Sequence, residues 1–182
     1  LAIVIGLGQP SVEQLLLRGL LEEMTVEEIR QAHFPDRSIS ALKSFLSRTI
    51  YPELNVHSHV AAVKVALEKG FVNLEEPIPP AGVAHSWLTP EQWGVFQELA
   101  RDLPSYEAIA RTMGSGKTSQ EIKTVAQAIA RVLRRHGVPI RDIKIAAIKM
   151  WHAQSLLSAR AQQLLREASE AGLDIRFEPE DL

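Results

Sequence analysis

The sequence contains no cysteine, few aromatic residues and no long apolar run, and each absence removes a class of protein. Without cysteine there can be no disulfide, no thiolate zinc site and no cysteine nucleophile. An aromatic content of 5% and the scarcity of β-type runs favour an all-α protein. No stretch reaches the roughly 18 apolar residues of a membrane span, and no signal peptide is evident. We therefore expect a cytoplasmic protein with no membrane partner.

The charge distribution is more informative than the net charge of −2. Between residues 121 and 149, seven basic side chains outnumber two acidic ones, whereas between 160 and 182, six acidic side chains outnumber three basic ones. A local basic surface is therefore available on a slightly acidic chain. Its arginines either contact DNA or only solvate a helix face.

Three helices are predicted between residues 88 and 138. Thr89, Ser105 and Thr118 each precede a helical segment as an N-cap, and Thr118 forms a capping box with Glu121. Gly114 ends the second helix because glycine adopts the left-handed C-terminal cap without steric cost. The third helix is predicted to bury Ile122, Val125, Ile129, Val132 and Leu133.

The opposite face of this third helix is rich in amide and cationic side chains. Their spacing makes them project together, and the members are Gln120, Lys123, Thr124, Gln127, Arg131 and Arg134. Glutamine and arginine can donate to base edges, while lysine and arginine neutralise phosphates. The pattern predicts a helix that lies in the major groove of double-stranded DNA. Lys117 and Arg135 are predicted as additional phosphate contacts.

The same stretch resembles the LuxR-type, or NarL/FixJ-type, helix-turn-helix domain of bacterial transcription regulators. The resemblance rests on LTPEQ at 88–92, EAIA at 107–110, TV at 124–125 and IARVLRRHGV at 129–138, and it covers about fifty residues. The chain departs from the family in an insertion at 115–119. The resemblance implies a sequence-specific DNA-binding regulator that needs no cofactor.

An earlier stretch has the same order of predicted helices, which indicates an internal duplication. Val56 corresponds to Val138, 82 residues later, and Met24 corresponds to Leu103, 79 residues later. Beyond the first valine, AVKVALEKG at 62–70 matches the AV-x-x-AL-x-x-G pattern of the family's fourth helix. The predicted fold is all-α, with two tandem helix-turn-helix units of four helices each, of the winged-helix-like or LuxR C-terminal type, and an extra C-terminal helix.

The third helix of the first copy is predicted from Ser38 to Ile50, and Pro52 is predicted to stop it. Its outward side chains are the corresponding DNA-binding candidates. They are Lys43, Ser44, Ser47 and Arg48.

Four segments organise the chain. They are 1–72, the first unit with an extended N-terminal arm; 73–86, a Pro-rich linker; 87–150, the second unit; and 151–182, a C-terminal helix with an acidic tail. The last helix carries an apolar stripe formed by Trp151, Leu156, Leu157, Ala161, Leu164, Leu165 and Ala168. An amphipathic helix must bury such a stripe. We expect a homodimer through 151–170, with the first unit or a different protein as the other possible occupants.

Other chemistry is poorly supported. Gly6-x-Gly8 lacks the third glycine of a dinucleotide fingerprint, and Gly114–Thr118 lacks the first glycine and preceding strand of a phosphate loop. His57 and His59 have neither helical ligand spacing nor a third ligand nearby. We therefore expect no enzyme activity, no catalytic residues and no metal. The alternative function is a helical protein-interaction module that binds RNA polymerase or another regulator instead of DNA.

Overall fold

The computed structural model describes residues 10–75, 77–101, 105–114 and 116–170. The predicted N-terminal arm and acidic tail lie outside these residues. The described residues form helices and no strand, which confirms the all-α class. In chain order the elements are α1 (Val12–Leu21), α2 (Val26–His33), α3 (Ile39–Phe45), a π-helical turn (Leu46–Ile50), α4 (Tyr51–Leu54), α5 (His59–Glu68), α6 (Ala81–His85), α7 (Pro90–Ala100), α8 (Tyr106–Met113), α9 (Ser119–Arg135) and α10 (Ile143–Glu170).

Side-chain caps fix where most of these helices begin. Four helices start with a reciprocal capping box, in which the cap side chain and the side chain three residues later each accept a backbone N–H. The pairs are Ser11 with Gln14, Thr25 with Glu28, Thr89 with Gln92, and Thr118 with Glu121. The predicted caps at Thr89, Ser105 and Thr118 are confirmed, as is the left-handed cap at Gly114, whose φ is 60°.

Pro52 does not stop the third helix of the first unit, so that prediction is wrong. The chain stays helical from Ile39 through the π-helical turn to Leu54. Proline removes a helical hydrogen bond and crowds the preceding turn, and the wider turn just before it provides room for the ring. The helix ends at Asn55 with a φ of 55°.

The buried apolar side chains form two clusters. The first cluster comprises those from Leu16 to Val72 together with Ile145 and Ile148. The second cluster comprises those from Ala81 to Ile140 together with Ala146, Ala147 and Met150. Since α10 contributes to both clusters from opposite faces, it holds the two halves of the chain together. The predicted fourth helix of the second unit and the predicted C-terminal helix are one continuous helix, α10, so the predicted boundary at 150/151 falls inside a helix.

The predicted linker is not extended throughout. Ala81–His85 form α6, and Ala81 and Ala84 are fully buried in the second cluster. Gln154 of α10 accepts a hydrogen bond from the backbone N–H of Gly82 at 3.1 Å. Part of the segment between the halves is therefore packed against α10 and does not act as a free spacer.

Glu23 joins the halves through a polar contact. It lies between α1 and α2 with a φ of 61°, and its side chain is only 4% exposed. The carboxylate accepts hydrogen bonds from the backbone N–H groups of Arg141 and Asp142, and it pairs with Lys149 Nζ at 3.1 Å. A carboxylate with so little contact with water is stabilised by donors of this kind. The contact fixes the start of α10 against the first unit.

Two glycines inside helices should respond to alanine in opposite ways. A Cβ at Gly19 would lie 2.5 Å from Cγ1 of the fully buried Ile29, whereas a Cβ at Gly94 would meet Met113 Cε at an ordinary 3.5 Å. We expect Gly94→Ala to raise the free energy of unfolding by about 0.5–1 kcal/mol through helix propensity. We expect Gly19→Ala to lower it by about 1–2 kcal/mol because overpacking outweighs that gain. Urea unfolding measures both, and stabilisation by Gly19→Ala would contradict the close approach of α1 and α2.

Removing the Glu23 carboxylate should destabilise the protein much more than removing its neighbour. Glu23→Ala leaves Lys149 and two backbone N–H groups without their acceptor, and we expect a loss of about 2–3 kcal/mol in the free energy of unfolding. Glu22→Ala is the control, because Glu22 is 46% exposed and its ion pair with Arg18 is worth less than about 0.5 kcal/mol. Equal effects in urea unfolding would show that the Glu23 contact does not hold the halves together.

Candidate nucleic-acid interface

The orientation of α9 follows from its buried face. Ile122, Ala126, Ile129, Ala130 and Leu133 pack inward against α7 and α8. The predicted Val125 and Val132 are only partly buried at the edges, and two alanines occupy the centre instead. Alanine at the centre lets neighbouring helices approach closely. The helical spacing of positions 122, 126, 129, 130 and 133 is the sequence signal that could have identified the two alanines.

The opposite face of α9 is open to solvent along its length. Every predicted DNA-binding side chain within this helix is exposed: Gln120, Lys123, Thr124, Gln127, Arg131, Arg134 and Arg135. Within the described residues, Lys123, Arg131 and Arg135 have no ion-pair partner. Glu121 is the one acid in α9, and it is held at the N-terminus by the Thr118 cap, whose backbone N–H lowers the pKa of Glu121. The face therefore keeps its positive charge uncompensated.

Several basic side chains elsewhere in the described residues are paired with acids. Ion pairs join Arg18 to Glu22 and Glu75, Arg30 to Glu27, Arg101 to Glu98, Arg111 to Glu107, Arg141 to Glu28 and Lys149 to Glu23. Exposed unpaired cations do occur away from α9, for example at Lys69 and Arg166 in the described residues. The distinction of α9 is that three such cations lie on one helix face.

Two side chains predicted to contact phosphates, Lys117 and Arg134, form hydrogen bonds within the protein instead. Lys117 pairs with Glu91 of α7, and this hydrogen bond raises the pKa of Lys117. The Arg134 guanidinium donates to the carbonyl of Ile140 at 3.0 and 3.3 Å, which ties the end of α9 to the loop before α10. These partners lie outside the helix, so helical periodicity could not reveal them.

The third helix of the first unit presents a smaller polar face. Lys43, Ser47 and Arg48 are exposed and Ser44 is half-buried. Ser47 Oγ donates to the carbonyl of Ser44 at 3.2 Å. Lys43, Ser44 and Ser47 line one shallow depression together with Ile39 and Ser40. The structure thus brings three of these four candidates together on one surface, with Arg48 also exposed on this helical segment.

Asp142 caps the start of α10. Its Oδ1 accepts the backbone N–H of Lys144 at 2.8 Å and that of Ile145 at 3.4 Å, and its Oδ2 lies 3.8 Å from His59 Nε2. Burial opposes ionisation of this carboxyl, but the bonds from His59 and the two N–H groups outweigh it and lower the pKa of Asp142. His59 is therefore engaged with this acid. Among the described residues, no group of three or more potential ligands could hold a metal ion.

A cavity of about 330 Å³ lies between the two halves, and sequence analysis missed it. Its wall is apolar at Leu21, Leu74, Ile78 and Ile140, and polar at the ion pairs of Arg18 and Lys149. These residues come from distant parts of the chain, so only the folded arrangement reveals the cavity. Arg18 and Lys149 are paired with acids of the same wall, and Arg141 pairs with Glu28 outside it, so each basic side chain in the wall has an acidic partner.

No family model, curated protein or solved structure significantly matches this chain. The fold defines the class as an all-α protein, and none of the described helices is both long and apolar enough to cross a membrane.

Two neighbouring arginines of α9 should differ in their effect on stability. Arg134→Ala removes a charged donor from the Ile140 carbonyl, and we expect it to lower the free energy of unfolding by about 1 kcal/mol. Arg131→Ala removes an exposed side chain without a partner, so the change should stay within about 0.5 kcal/mol. Urea unfolding of both variants measures the difference. A larger loss from Arg131→Ala would mean that Arg131, not Arg134, has the structural role.

Proposed function

We propose that this protein is a sequence-specific DNA-binding transcriptional regulator with two tandem helix-turn-helix units. In the second unit, α9 lies in a major groove, with Lys123, Thr124 and Gln127 nearest the bases and Arg131 and Arg135 on phosphates. In the first unit, the helical segment 39–54 has the same role. The observation that carries the proposal is the exposed face of α9, whose cations have no acidic partner among the described residues.

The electrostatics of α9 suit a polyanion. An exposed unpaired cation releases a condensed counterion when it neutralises a phosphate, and this release drives affinity for DNA. The amides of Gln120 and Gln127 lie on the same face and supply donors and acceptors that base edges require. A helix intended only for solubility would gain from alternating charges, but this face carries one sign.

The repeated helix order supports a second, related unit. In each half, a third helix ends in a left-handed residue followed by a buried valine, Asn55-Val56 and Gly137-Val138. Each valine N–H donates to the carbonyl five residues earlier, Tyr51 at 2.8 Å and Leu133 at 3.1 Å. A capped helix follows both times, and these two helices, α5 and α10, pack on each other. One chain can therefore present two third helices in a fixed relation to each other.

Protein binding is the alternative, and one observation favours it. Leu156, Leu157 and Leu164 of α10 are 48–55% exposed, and apolar exposure of this kind suits a protein partner. RNA polymerase or another regulator would fit such a role. This surface lies on a different helix from the cationic face of α9. A protein could therefore bind the exposed leucines while α9 binds DNA.

The DNA-binding proposal can be tested with charge-removing variants. Duplexes selected from random DNA by the wild-type protein would serve as ligands, and affinity would be measured over about 50–200 mM salt. We expect Lys123→Ala plus Arg131→Ala to weaken binding and to reduce the slope of log K against log salt by about two. Lys43→Ala plus Arg48→Ala should do the same, because the proposal places the helical segment 39–54 in a groove as well.

The matched control removes two exposed, unpaired cations from other helical regions. Lys69→Ala plus Arg166→Ala changes the net charge equally but should leave affinity and salt slope unchanged. If the α9 pair had no greater effect than this control, or if no sequence were enriched from random DNA, the DNA-binding proposal would be wrong and the protein-interaction function would take its place.

A further inference from the structure

The outer half of α10 extends beyond the two clusters. Trp151 still packs on Trp93, with ring centroids 5.8 Å apart, and Gln154 still bonds to Gly82. From Ser155 to Glu167 every residue is exposed. At 1.5 Å per residue, the portion from 155 to 170 is about 24 Å long. The predicted apolar stripe is thus divided, because Trp151 belongs to the protein's own core and the leucines do not.

The exposed portion carries an apolar row with the spacing of a helix pair. Leu157, Ala161 and Leu164 are separated by four and three residues, as in the seam of a two-stranded coiled coil. Leu165 borders the row and Leu156 lies on its other side, and the four leucines are 39–55% exposed. Because these leucines are exposed, the row has no apolar partner within the described part of the chain. An isolated helix of this length is only marginally stable in water, so a partner would stabilise it.

The charges beside the row suit a second copy of the chain in antiparallel orientation. Arg160 and Glu167 lie on one flank, seven residues apart. Gln163 connects them, since Arg160 Nη1 donates to Gln163 Oε1 at 3.0 Å and Gln163 Nε2 donates to Glu167 Oε1 at 2.7 Å. A two-fold axis near Gln163 would place Arg160 of each copy against Glu167 of the other. A parallel pair would instead place Arg160 beside Leu165, with no ion pair.

The sizes of the facing side chains also match in this antiparallel arrangement. With the axis near Gln163, Leu164 of one copy lies opposite Ala161 of the other, so each large side chain meets a small one. A surface that pairs across a two-fold axis must complement itself. The row and its flank do so in both size and charge, which an unrelated partner would not require.

We propose that residues 156–167 of α10 form an antiparallel, two-fold symmetric contact between two copies of this chain. The contact spans only about two heptads, so the interface is small and the dimer should be weak. The dimeric fraction should therefore increase with protein concentration. The proposal goes beyond DNA binding and does not rest on it, because α9 and the helical segment 39–54 take no part. Its failure would leave the DNA-binding proposal untouched.

Sedimentation equilibrium of the full chain tests whether the contact forms. We expect a monomer–dimer equilibrium for the wild-type protein and at least a tenfold increase in the dimer Kd for Leu164→Glu. Gln162→Glu is the control, since it adds the same charge at an exposed position on the opposite face and should leave the Kd unchanged. Circular dichroism confirms that both variants stay folded. A wild-type protein that remains monomeric, or equal effects of the two variants, would overturn the proposal.

Charge reversal tests the orientation. Arg160→Glu and Glu167→Arg should each weaken their own homodimers, because the facing flank charges become alike. An equimolar mixture of the two variants should form heterodimers, because every facing pair is then opposite in sign. Failure of the mixture to associate better than either variant alone would contradict the antiparallel arrangement.

The absence of native cysteine allows a second check of orientation. A mixture of Ala161→Cys and Leu164→Cys proteins should give a disulfide-linked heterodimer on oxidation, because these positions face each other across the axis. Each variant alone should cross-link poorly. Efficient cross-linking of each variant with itself would indicate a parallel pair and overturn the proposal.

Discussion

The buried carboxylate of Glu23 is the interaction on which the arrangement of the two halves depends. Its side chain is 4% exposed, and it accepts hydrogen bonds from two backbone N–H groups at the start of α10 and from Lys149. A charge buried to this extent is tolerated only when such donors replace water. The left-handed backbone at Glu23 directs the chain so that the carboxylate meets these donors. The turn between α1 and α2 thereby anchors a helix that begins more than a hundred residues later.

Apolar packing on α10 also holds the two halves together, in addition to the Glu23 carboxylate. Ile145 and Ile148 are buried in the first cluster, while Ala146, Ala147 and Met150 are buried in the second. Since a helix is rigid over this distance, the two clusters cannot rotate independently. The same helix then continues into the exposed leucine row. One element therefore holds the two halves of the chain together and also presents the surface proposed for self-association.

The accuracy of the sequence-based predictions depended on how local the deciding interactions were. The caps at Thr89 and Thr118 were found because each needs only residues within four positions. The solvent-facing side of α9 was found because helical periodicity is local too. Pro52 was misjudged because a π-helical turn before it relieves the clash. The helix at 81–85 was missed because burial of Ala81 and Ala84 against distant segments stabilises it, and its own composition indicates a linker.

By itself, the sequence determined the all-α class, the starts of the capped helices and the set of side chains that α9 exposes. These depend on hydrogen bonds and periodicities within a few residues. The tertiary structure decided that Lys117 pairs with Glu91, that Arg134 binds the Ile140 carbonyl and that the apolar stripe of α10 divides after Gln154. It also decided the contact of Glu23 with Lys149, 126 residues away. Such contacts arise only when folding brings distant segments together, and no local pattern encodes which segments will meet.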